Sequence, residues 1–527
     1  MKTSFPLLSF LGLLLAGPPT ARAQTDDGLV ATTEAGQVRG QRVGEVLVFK
    51  SIPYAAPPVG ELRFAAPAPH QPWTGVRNAT AAGPTAPYNR PPAGDIDDQP
   101  VFGKGWVKGD DYLTTNIWTP ALSGPPRPVL VYIHGGAFAV GASDVPLFDG
   151  TGFAQKGAVL VSLNYRLGIE GFLKIKGAPS NRGTRDQLAA LRWVQANIAR
   201  FGGDPANVTV FGESAGAMSV ATLLASPAAK GLFRRAILMS GSGQSVLSGE
   251  QADRIAAKYA QVLRIKNTAE AFRRLSPEQV LDAQKKVTPK MVKLDTDEYR
   301  DPGSGTALFF PVLDGDIVPA VPLAAVQQGA GRDVDVLVGY NSDEANYFLV
   351  PTGLLKKVKS NFVLTLAVKR LLHPAPAALI TVYKQAYPAK SPGELLSAMA
   401  TAYQFQVPSV HLADAHARQP GRTYMYEFAW PSSVAASSYG AYHGLALPFV
   451  FNQRALVTGA RGMLGPSGGP AELAEQMQSA WVEFARTGSP GWAPYTPAEH
   501  QTMLFNTRSQ LQANPHAKEL RAWEGVR

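Results

Sequence analysis

The sequence predicts an α/β fold in which a large, mostly parallel central sheet carries helices on both faces. The first observation is a set of continuous apolar runs, which are typical of strands buried on both faces; they lie at 129–133, 159–163, 208–211 and 236–239. The second observation is that helical patterns separate the later runs. Strands that alternate with helices indicate a parallel sheet, because a parallel connection needs a long crossover.

The helix before the third run is predicted over 184–200. Its apolar residues recur at helical spacing and form one stripe, made of Leu188, Leu191, Val194 and Ile198. Thr184 and Gln187 have the spacing of a capping box, which predicts the helix start at Thr184. A second helix is predicted from Ser214, and an amphipathic helix over 473–484 follows near the C-terminus.

Short β segments separated by turns are predicted in the first hundred residues, at 29–33, 37–39 and 46–49. The stretch 86–105 is rich in Pro, Gly and Asp and predicts an ordered loop without regular structure. Helical insertions over about 250–300 and 352–418 lie around the predicted core strands 334–339 and 424–428, so we expect them to cap the sheet. Because the motifs that must meet in one site span most of the chain, we expect a single domain from 24 to 527.

The N-terminus has the pattern of a secretory signal peptide over residues 1–23. Lys2 precedes an almost wholly apolar stretch, 5–16, and Ala21-Arg22-Ala23 gives small residues before the expected cleavage site. About a dozen apolar residues are too few for the roughly 20 that a spanning helix needs. We therefore expect a secreted or periplasmic protein that begins at Gln24 and has no integral membrane segment.

The composition excludes several classes of chemistry. The chain has no cysteine, so a thiol nucleophile and thiolate metal ligands are ruled out. Its eight histidines lack metal-binding spacings such as HExxH, and we expect neither a metal nor a cofactor. The net charge of +10 is spread along the chain without a nucleic-acid motif, so we expect no nucleic-acid partner.

The strongest motif is the GxSxG pattern from Gly212 to Gly216, centred on Ser214. The predicted strand 208–211 precedes it directly and a helix follows. A serine on such a sharp strand-to-helix turn exposes its hydroxyl at the carboxyl edge of the sheet. The pattern therefore predicts Ser214 as a nucleophile.

A nucleophilic serine needs N–H donors for the oxyanion that forms on the substrate. The nucleophile turn supplies the N–H of Ala215 at a helix N-terminus. The segment His134-Gly135-Gly136-Ala137-Phe138 follows the predicted strand 129–133, and its small residues let the backbone approach a substrate. We predict an oxyanion hole formed by the N–H groups of Gly136, Ala137 and Ala215.

A base and an acid must complete the site, in the order Ser, acid, His. His443 lies in the small-residue segment 440–444 after the strand 424–428, whereas His411 and His416 lie on a predicted helix and His500 and His516 are flanked by polar surface residues. His443 is therefore the predicted base. The strand 334–339 leads into Asp343 and Glu344, and the residues alone leave these two acids nearly even.

These residues resemble the type-B carboxylesterase/cholinesterase family, which has the α/β-hydrolase fold, from about residue 29 to the C-terminus. The resemblance is carried by a series of motifs in the family's order: Phe49–Ala55, Leu62-Arg63-Phe64, His134–Phe138, Asn164–Gly168, Asp186-Gln187, Phe201–Pro205 leading into Gly212–Gly216, Phe310-Pro311-Val312, Asp343-Glu344 and His443.

The resemblance implies Glu344 as the triad acid and ester hydrolysis through an acyl-enzyme on Ser214. It also shows three departures. Ala86 and Tyr112 stand where the family's first disulfide usually lies, which puts in doubt how the Pro-rich loop is held. Ala137 replaces the third glycine of the oxyanion loop. Ala446 replaces an acid, so that Glu213 lacks an expected partner.

The resemblance implies a small-molecule ester as substrate and leaves two alternatives. One is a lipase acting at an interface, which needs an apolar lid; the other is a non-catalytic adhesion protein, which usually lacks the serine or histidine. The helical insertions carry many lysines and arginines, such as Arg264, Lys285 and Lys369. A basic rim would steer anionic esters to the site, whereas exposed lysines are more often only solvated. Oligomeric state does not follow from the sequence.

Overall fold

The computed structural model describes Met1 and residues 29–90, 94–296, 299–303, 305–372 and 377–526. The predicted signal peptide and its cleavage site lie outside the described residues, apart from Met1. No helix in the described ranges is both long enough and apolar enough to cross a membrane.

The centre of the molecule is an 11-stranded sheet in the order β14-β13-β12-β11-β10-β9-β7-β8-β6-β4-β3. The seven strands from β13 to β8 run parallel, and antiparallel strands complete both edges. A separate three-stranded sheet has the order β1-β2-β5. The strands are β1 (Val30–Thr32), β2 (Gln37–Arg39), β3 (Gln41–Val43), β4 (Val46–Pro53), β5 (Val76–Asn78), β6 (Thr114–Thr119), β7 (Arg127–Ile133), β8 (Val159–Leu163), β9 (Gly203–Glu213), β10 (Arg235–Met239), β11 (Asp335–Asn341), β12 (Thr423–Phe428), β13 (Thr502–Phe505) and β14 (Gln510–Gln512).

Helices lie along the connections between these strands. They are α1 (Gln99–Phe102), α2 (Thr151–Gln155), α3 (Gly168–Phe172), α4 (Arg182–Asn197), α5 (Ala215–Ala225), α6 (Gly249–Leu263), α7 (Ala269–Arg273), α8 (Pro277–Lys286), α9 (Pro322–Gln327), α10 (Asn346–Leu349), α11 (Leu354–Lys357), α12 (Asn361–Leu371), α13 (Ala377–Ala386), α14 (Pro392–Thr401), α15 (Val407–His416), α16 (Leu447–Val450), α17 (Ala471–Thr487) and α18 (Ala517–Ala522). A π-helix, Ala402–Gln406, joins α14 to α15.

The prediction of an α/β fold with a mostly parallel central sheet is confirmed. The apolar runs of the sequence form β7, β8, β9 and β10, whose central residues are buried. Hydrophobic side chains fill both faces of this sheet, because helices cover each face. The insertion 250–300 contains α6, α7 and α8, and the insertion 352–418 contains α11 to α15.

The predicted start of α4 is wrong. The helix begins at Arg182, after Asn181 in a left-handed conformation, and Thr184 does not cap it. The buried guanidinium of Arg182 donates to the backbone oxygens of Glu170 and Leu173, which fixes the chain before the predicted capping box. Gln187 turns away from the helix end and donates to Ser219 Oγ at 3.0 Å.

The Pro-rich loop is held by contacts other than a disulfide. The Tyr88 hydroxyl donates to the backbone oxygen of Phe102 at 2.5 Å, and Arg90 forms an ion pair with Asp98 at 2.9 Å. Asn89 donates to the backbone oxygen of Leu281 at 2.7 Å, which ties the loop to α8. The helical turn α1 lies within this loop, where the sequence predicted no regular structure.

Candidate active site

The turn between β9 and α5 holds Ser214 in a strained conformation, with φ 56° and ψ −123°. A side chain at Gly216 would place its Cβ 2.0 Å from the backbone oxygen of Ile133, and one at Gly212 would lie 2.4 Å from the carbonyl carbon of Gly216. Both glycines are therefore required by close backbone approach. The turn aims the Ser214 hydroxyl at the carboxyl edge of the parallel sheet.

Ser214, His443 and Glu344 form one hydrogen-bonded chain. His443 Nε2 lies 2.8 Å from Ser214 Oγ, and His443 Nδ1 lies 2.7 Å from Glu344 Oε2. The other oxygen of the Glu344 carboxylate accepts the N–H of Asn341 at 2.7 Å. With its proton on Nδ1, the imidazole presents Nε2 as an acceptor for the serine hydroxyl.

Asp343, the second acid that the sequence left open, contacts the backbone and not the imidazole. Its carboxylate accepts the N–H of Ala441 at 3.0 Å, and its own N–H donates to the backbone oxygen of Ala441 at 3.0 Å. Burial raises the pKa of Asp343. This carboxyl group therefore fastens the loop that carries His443 to the end of β11.

The three predicted oxyanion donors lie together beside Ser214. Gly136, Ala137 and Ala215 all line the same cavity as the serine. Gly136 has φ 107° and Ala137 has φ 53°, so that the loop after β7 turns through the left-handed region. Over the described ranges, no hydrogen bond uses any of these three N–H groups. They are free to bind an oxygen that enters the cavity.

The cavity above Ser214 has a volume of about 460 Å³ and a largely apolar wall. Its Phe and Tyr side chains come from several elements and are Phe102, Phe148, Phe310, Tyr347, Phe348, Phe405 and Tyr442. Asp98 and Glu213 are the acids of the wall. No lysine or arginine of the described chain lines the cavity, so the cations of the helical insertions lie outside it.

Aromatic rings surround His443, a feature that the sequence analysis did not predict. The ring centroids of Phe405 and Phe348 lie 5.0 Å and 5.1 Å from the imidazole, and that of Tyr347 lies 6.2 Å away. Tyr347 and Phe348 follow Glu344 closely in the chain, and this spacing could have indicated that they lie near the imidazole. Phe405 comes from the π-helix between α14 and α15, and no periodic pattern of the sequence indicates such an interruption.

A second carboxylate, that of Glu213, lies beside the imidazole. Its Oε1 is 3.4 Å from His443 Nε2 and accepts no hydrogen bond from any described side chain. Burial raises the pKa of Glu213 to about 7. Burial opposes the charge of His443, but the nearby carboxylates Glu213 and Glu344 outweigh it and raise the pKa of the imidazole. Ala446, where the resemblance implied an acid, is buried and apolar.

Comparisons with known proteins show which family this chain resembles. The family model described as Carboxylesterase family matches residues 27–523. A para-nitrobenzyl esterase of Bacillus subtilis (strain 168) is 35% identical, over 93% of this chain and 97% of that protein. A phenmedipham hydrolase of Pseudarthrobacter oxydans is 33% identical, over 88% of this chain and 90% of that protein.

A solved structure gives the same result for the fold. A carboxylesterase of Geobacillus stearothermophilus superposes with a TM-score of 0.81 at 35% identity and covers 94% of this chain and 100% of its own. The resemblance found in the sequence is thus confirmed, and the fold is that of the α/β-hydrolases. From its sequence, its fold and these relatives, the chain belongs to the carboxylesterase family and is a carboxylic-ester hydrolase.

Proposed function

We propose that the enzyme hydrolyses esters through an acyl-enzyme on Ser214. His443 removes the hydroxyl proton as Ser214 Oγ attacks the ester carbonyl, and Glu344 orients and stabilises the imidazolium that forms. His443 then gives the proton to the leaving alcohol. A water molecule repeats the sequence on the acyl-enzyme and releases the acid. The observation that carries this proposal is the chain of short hydrogen bonds from Ser214 Oγ to Glu344.

The negative charge that develops on the carbonyl oxygen would be stabilised by the N–H groups of Gly136, Ala137 and Ala215. These donors are backbone groups on fixed turns, so they need no reorganisation as the charge develops. The helix dipole of α5 adds to the stabilisation, because Ala215 is its first residue. Ala137 can take the place of glycine here, because only its N–H takes part.

The proposed substrates are uncharged esters whose acyl and alcohol parts are apolar or aromatic. The wall of the cavity supports this, because the described residues that form it offer aromatic rings and no lysine or arginine to a bound substrate. The name of the para-nitrobenzyl esterase of Bacillus subtilis also refers to an aromatic ester group. We expect kcat/KM for p-nitrophenyl esters to rise with acyl length until the cavity is filled, and to be low for a dicarboxylate half-ester. A preference for the half-ester would contradict this substrate class.

The hypothesis that basic helices steer anionic esters stays a prediction with its own test. Since no described lysine or arginine lines the cavity, any steering must act from outside it. Steering would make kcat/KM for the half-ester fall steeply between low and physiological salt, while a neutral ester of equal size stays constant. An equal response of both esters would show that these cations are only solvated.

The Glu213 carboxylate should raise the lower pH limit of activity, because that limit follows the pKa of His443. It helps to raise the pKa of His443, which must be unprotonated to act as the base. The change Glu213→Gln removes this charge and should lower the pKa of His443, so that activity persists to lower pH. The measurement is the pH profile of kcat/KM for a neutral ester.

The matched control for the pH experiment is Asp98→Asn, which removes another acid of the cavity wall. Asp98 is paired with Arg90 at 2.9 Å, and within the described part of the chain it forms no ion pair or hydrogen bond with His443. Its profile should keep the acidic limb of the wild-type enzyme. An acidic limb that stays in place or moves to higher pH in Glu213→Gln would contradict the proposed coupling.

We also propose that the protein is exported and cleaved after Ala23. The support is the pattern of residues 1–23, with a basic start, an apolar stretch and small residues before the cleavage site. The exported protein should begin at Gln24. N-terminal analysis and intact mass of protein from the periplasm or the medium test this, and material that still contains Met1 would contradict it.

A further inference from the structure

Helix α12 is apolar on the side that faces the protein and also on the side that faces solvent. Leu364 and Val368 are fully buried against the neighbouring helices. On the outer side, Phe362 is 74% exposed, Leu366 is 52% exposed and Val363 is 37% exposed. A surface helix of a globular protein normally turns polar residues outward. The outer face of α12 is therefore a candidate binding surface.

Cations surround this apolar face. At 100° per residue, Lys369 and Arg370 fall on the same side of α12 as Phe362 and Leu366. Lys356, Lys357 and Lys359 precede the helix, and all five cations are exposed. Among the described residues, no ion pair engages any of these five side chains.

The sequence around α12 carries charge of one sign only. Residues 345–393 contain seven lysines and arginines and no aspartate or glutamate. The next acid along the chain, Glu394, accepts the N–H of Ser391 and caps α14. The outer face thus combines exposed apolar side chains with positive charge that nearby acids of the same segment do not neutralise. We call it the α12 patch: Phe362, Val363 and Leu366 with Lys356, Lys357, Lys359, Lys369 and Arg370.

We propose that the α12 patch docks the enzyme on an anionic lipid membrane. A helix of this kind lies in the membrane interface, with its apolar side chains at the acyl boundary and its cations beside the lipid phosphates. Charge complementarity favours this partner over a second copy of the chain. A twofold contact through the patch would bring two sets of like charges together, which is unfavourable.

The α12 patch is joined to the cavity wall by packed helices. Tyr347 and Phe348 of α10 line the cavity, and the chain leads from them through α11 to α12. Both α11 and α12 pack on α14, which continues into the π-helix that carries Phe405. Docking would hold this side of the enzyme at the bilayer. The proposal goes beyond the catalytic mechanism and does not depend on it.

The test is co-sedimentation of the whole enzyme with lipid vesicles at low and physiological salt. The enzyme should bind vesicles that contain phosphatidylglycerol and should not bind vesicles of pure phosphatidylcholine. Two double variants remove the two parts of the patch: Phe362→Ser with Leu366→Ser, and Lys369→Glu with Arg370→Glu. Each should lower the partition coefficient at least ~10-fold, because each cation and each apolar side chain contributes to interfacial binding.

The matched control is Lys285→Glu with Lys286→Glu on α8. It changes the net charge by the same amount as Lys369→Glu with Arg370→Glu, at exposed positions on a helix that is not part of the α12 patch. This control should keep most of the binding, and all variants should hydrolyse a neutral, soluble ester at the wild-type rate. The proposal is overturned if the wild-type enzyme fails to bind anionic vesicles, or if the control loses as much binding as the α12 variants. It is also overturned if sedimentation velocity shows a wild-type dimer that Phe362→Ser with Leu366→Ser converts to monomer, because the patch would then hold a second copy.

Discussion

Replacement of Ser214 by alanine should lower kcat for a p-nitrophenyl ester by about 10⁶-fold, the size of loss found when such a serine is removed from a working triad. The change deletes only the oxygen that lies 2.8 Å from His443 Nε2. It also replaces a residue with positive φ by one of similar size, so the fold should be kept. Turnover and the thermal unfolding midpoint, measured on the same preparation, check both parts.

Ser219→Ala is the control for this experiment. Ser219 lies on α5 about one turn beyond Ser214, and its hydroxyl donates to the backbone oxygen of Ala215. It does not line the cavity among the described residues. Its loss should therefore leave kcat within about 10-fold of the wild-type value, because it removes two neutral hydrogen bonds, one to Ala215 and one from Gln187, and no reacting atom. Comparable losses at both serines would point to a structural role for Ser214.

Replacement of Glu344 by glutamine should lower kcat by about 10⁴-fold, because the imidazole loses the carboxylate that fixes its tautomer and stabilises its charge. Asp343→Asn should cost far less, since asparagine keeps an oxygen for the N–H of Ala441. The two acids are neighbours and both changes remove one charge, so each variant serves as the control for the other. A larger loss at Asp343 would refute the assignment of the acid to Glu344.

The central strands and the position of the serine could be predicted because both depend on local sequence. Continuous apolar runs such as 159–163 are typical of strands that helices cover on both faces, so the runs themselves indicate the strands. The glycines around Ser214 leave room for the backbone of Ile133 and for the backbone of the turn itself, and their spacing forms a motif that indicates the turn. The acid could not be chosen from the residues, because the choice depends on the direction that each side chain takes beyond β11, and the sequence does not show that direction.

Features that depend on distant parts of the chain could not be predicted in this way. The start of α4 is set by Arg182. Its guanidinium donates to the backbone oxygens of Glu170 in α3 and of Leu173 directly after α3, and these contacts override the local capping pattern of Thr184. Phe405 lies beside His443 but comes from the π-helix between α14 and α15, which is far along the chain from Ser214. The sequence also showed many cations in the insertions, but only the structure shows that they lie outside the cavity and that some of them surround exposed apolar residues of α12.

The most direct test of Ser214 as the nucleophile is covalent labelling by a fluorophosphonate followed by peptide mass spectrometry. Such a probe reacts with a serine whose hydroxyl is activated by a neighbouring base. We predict one adduct per chain on Ser214, and no adduct in Ser214→Ala. Labelling of another residue at equal stoichiometry, or labelling that persists in Ser214→Ala, would contradict the assignment of the nucleophile.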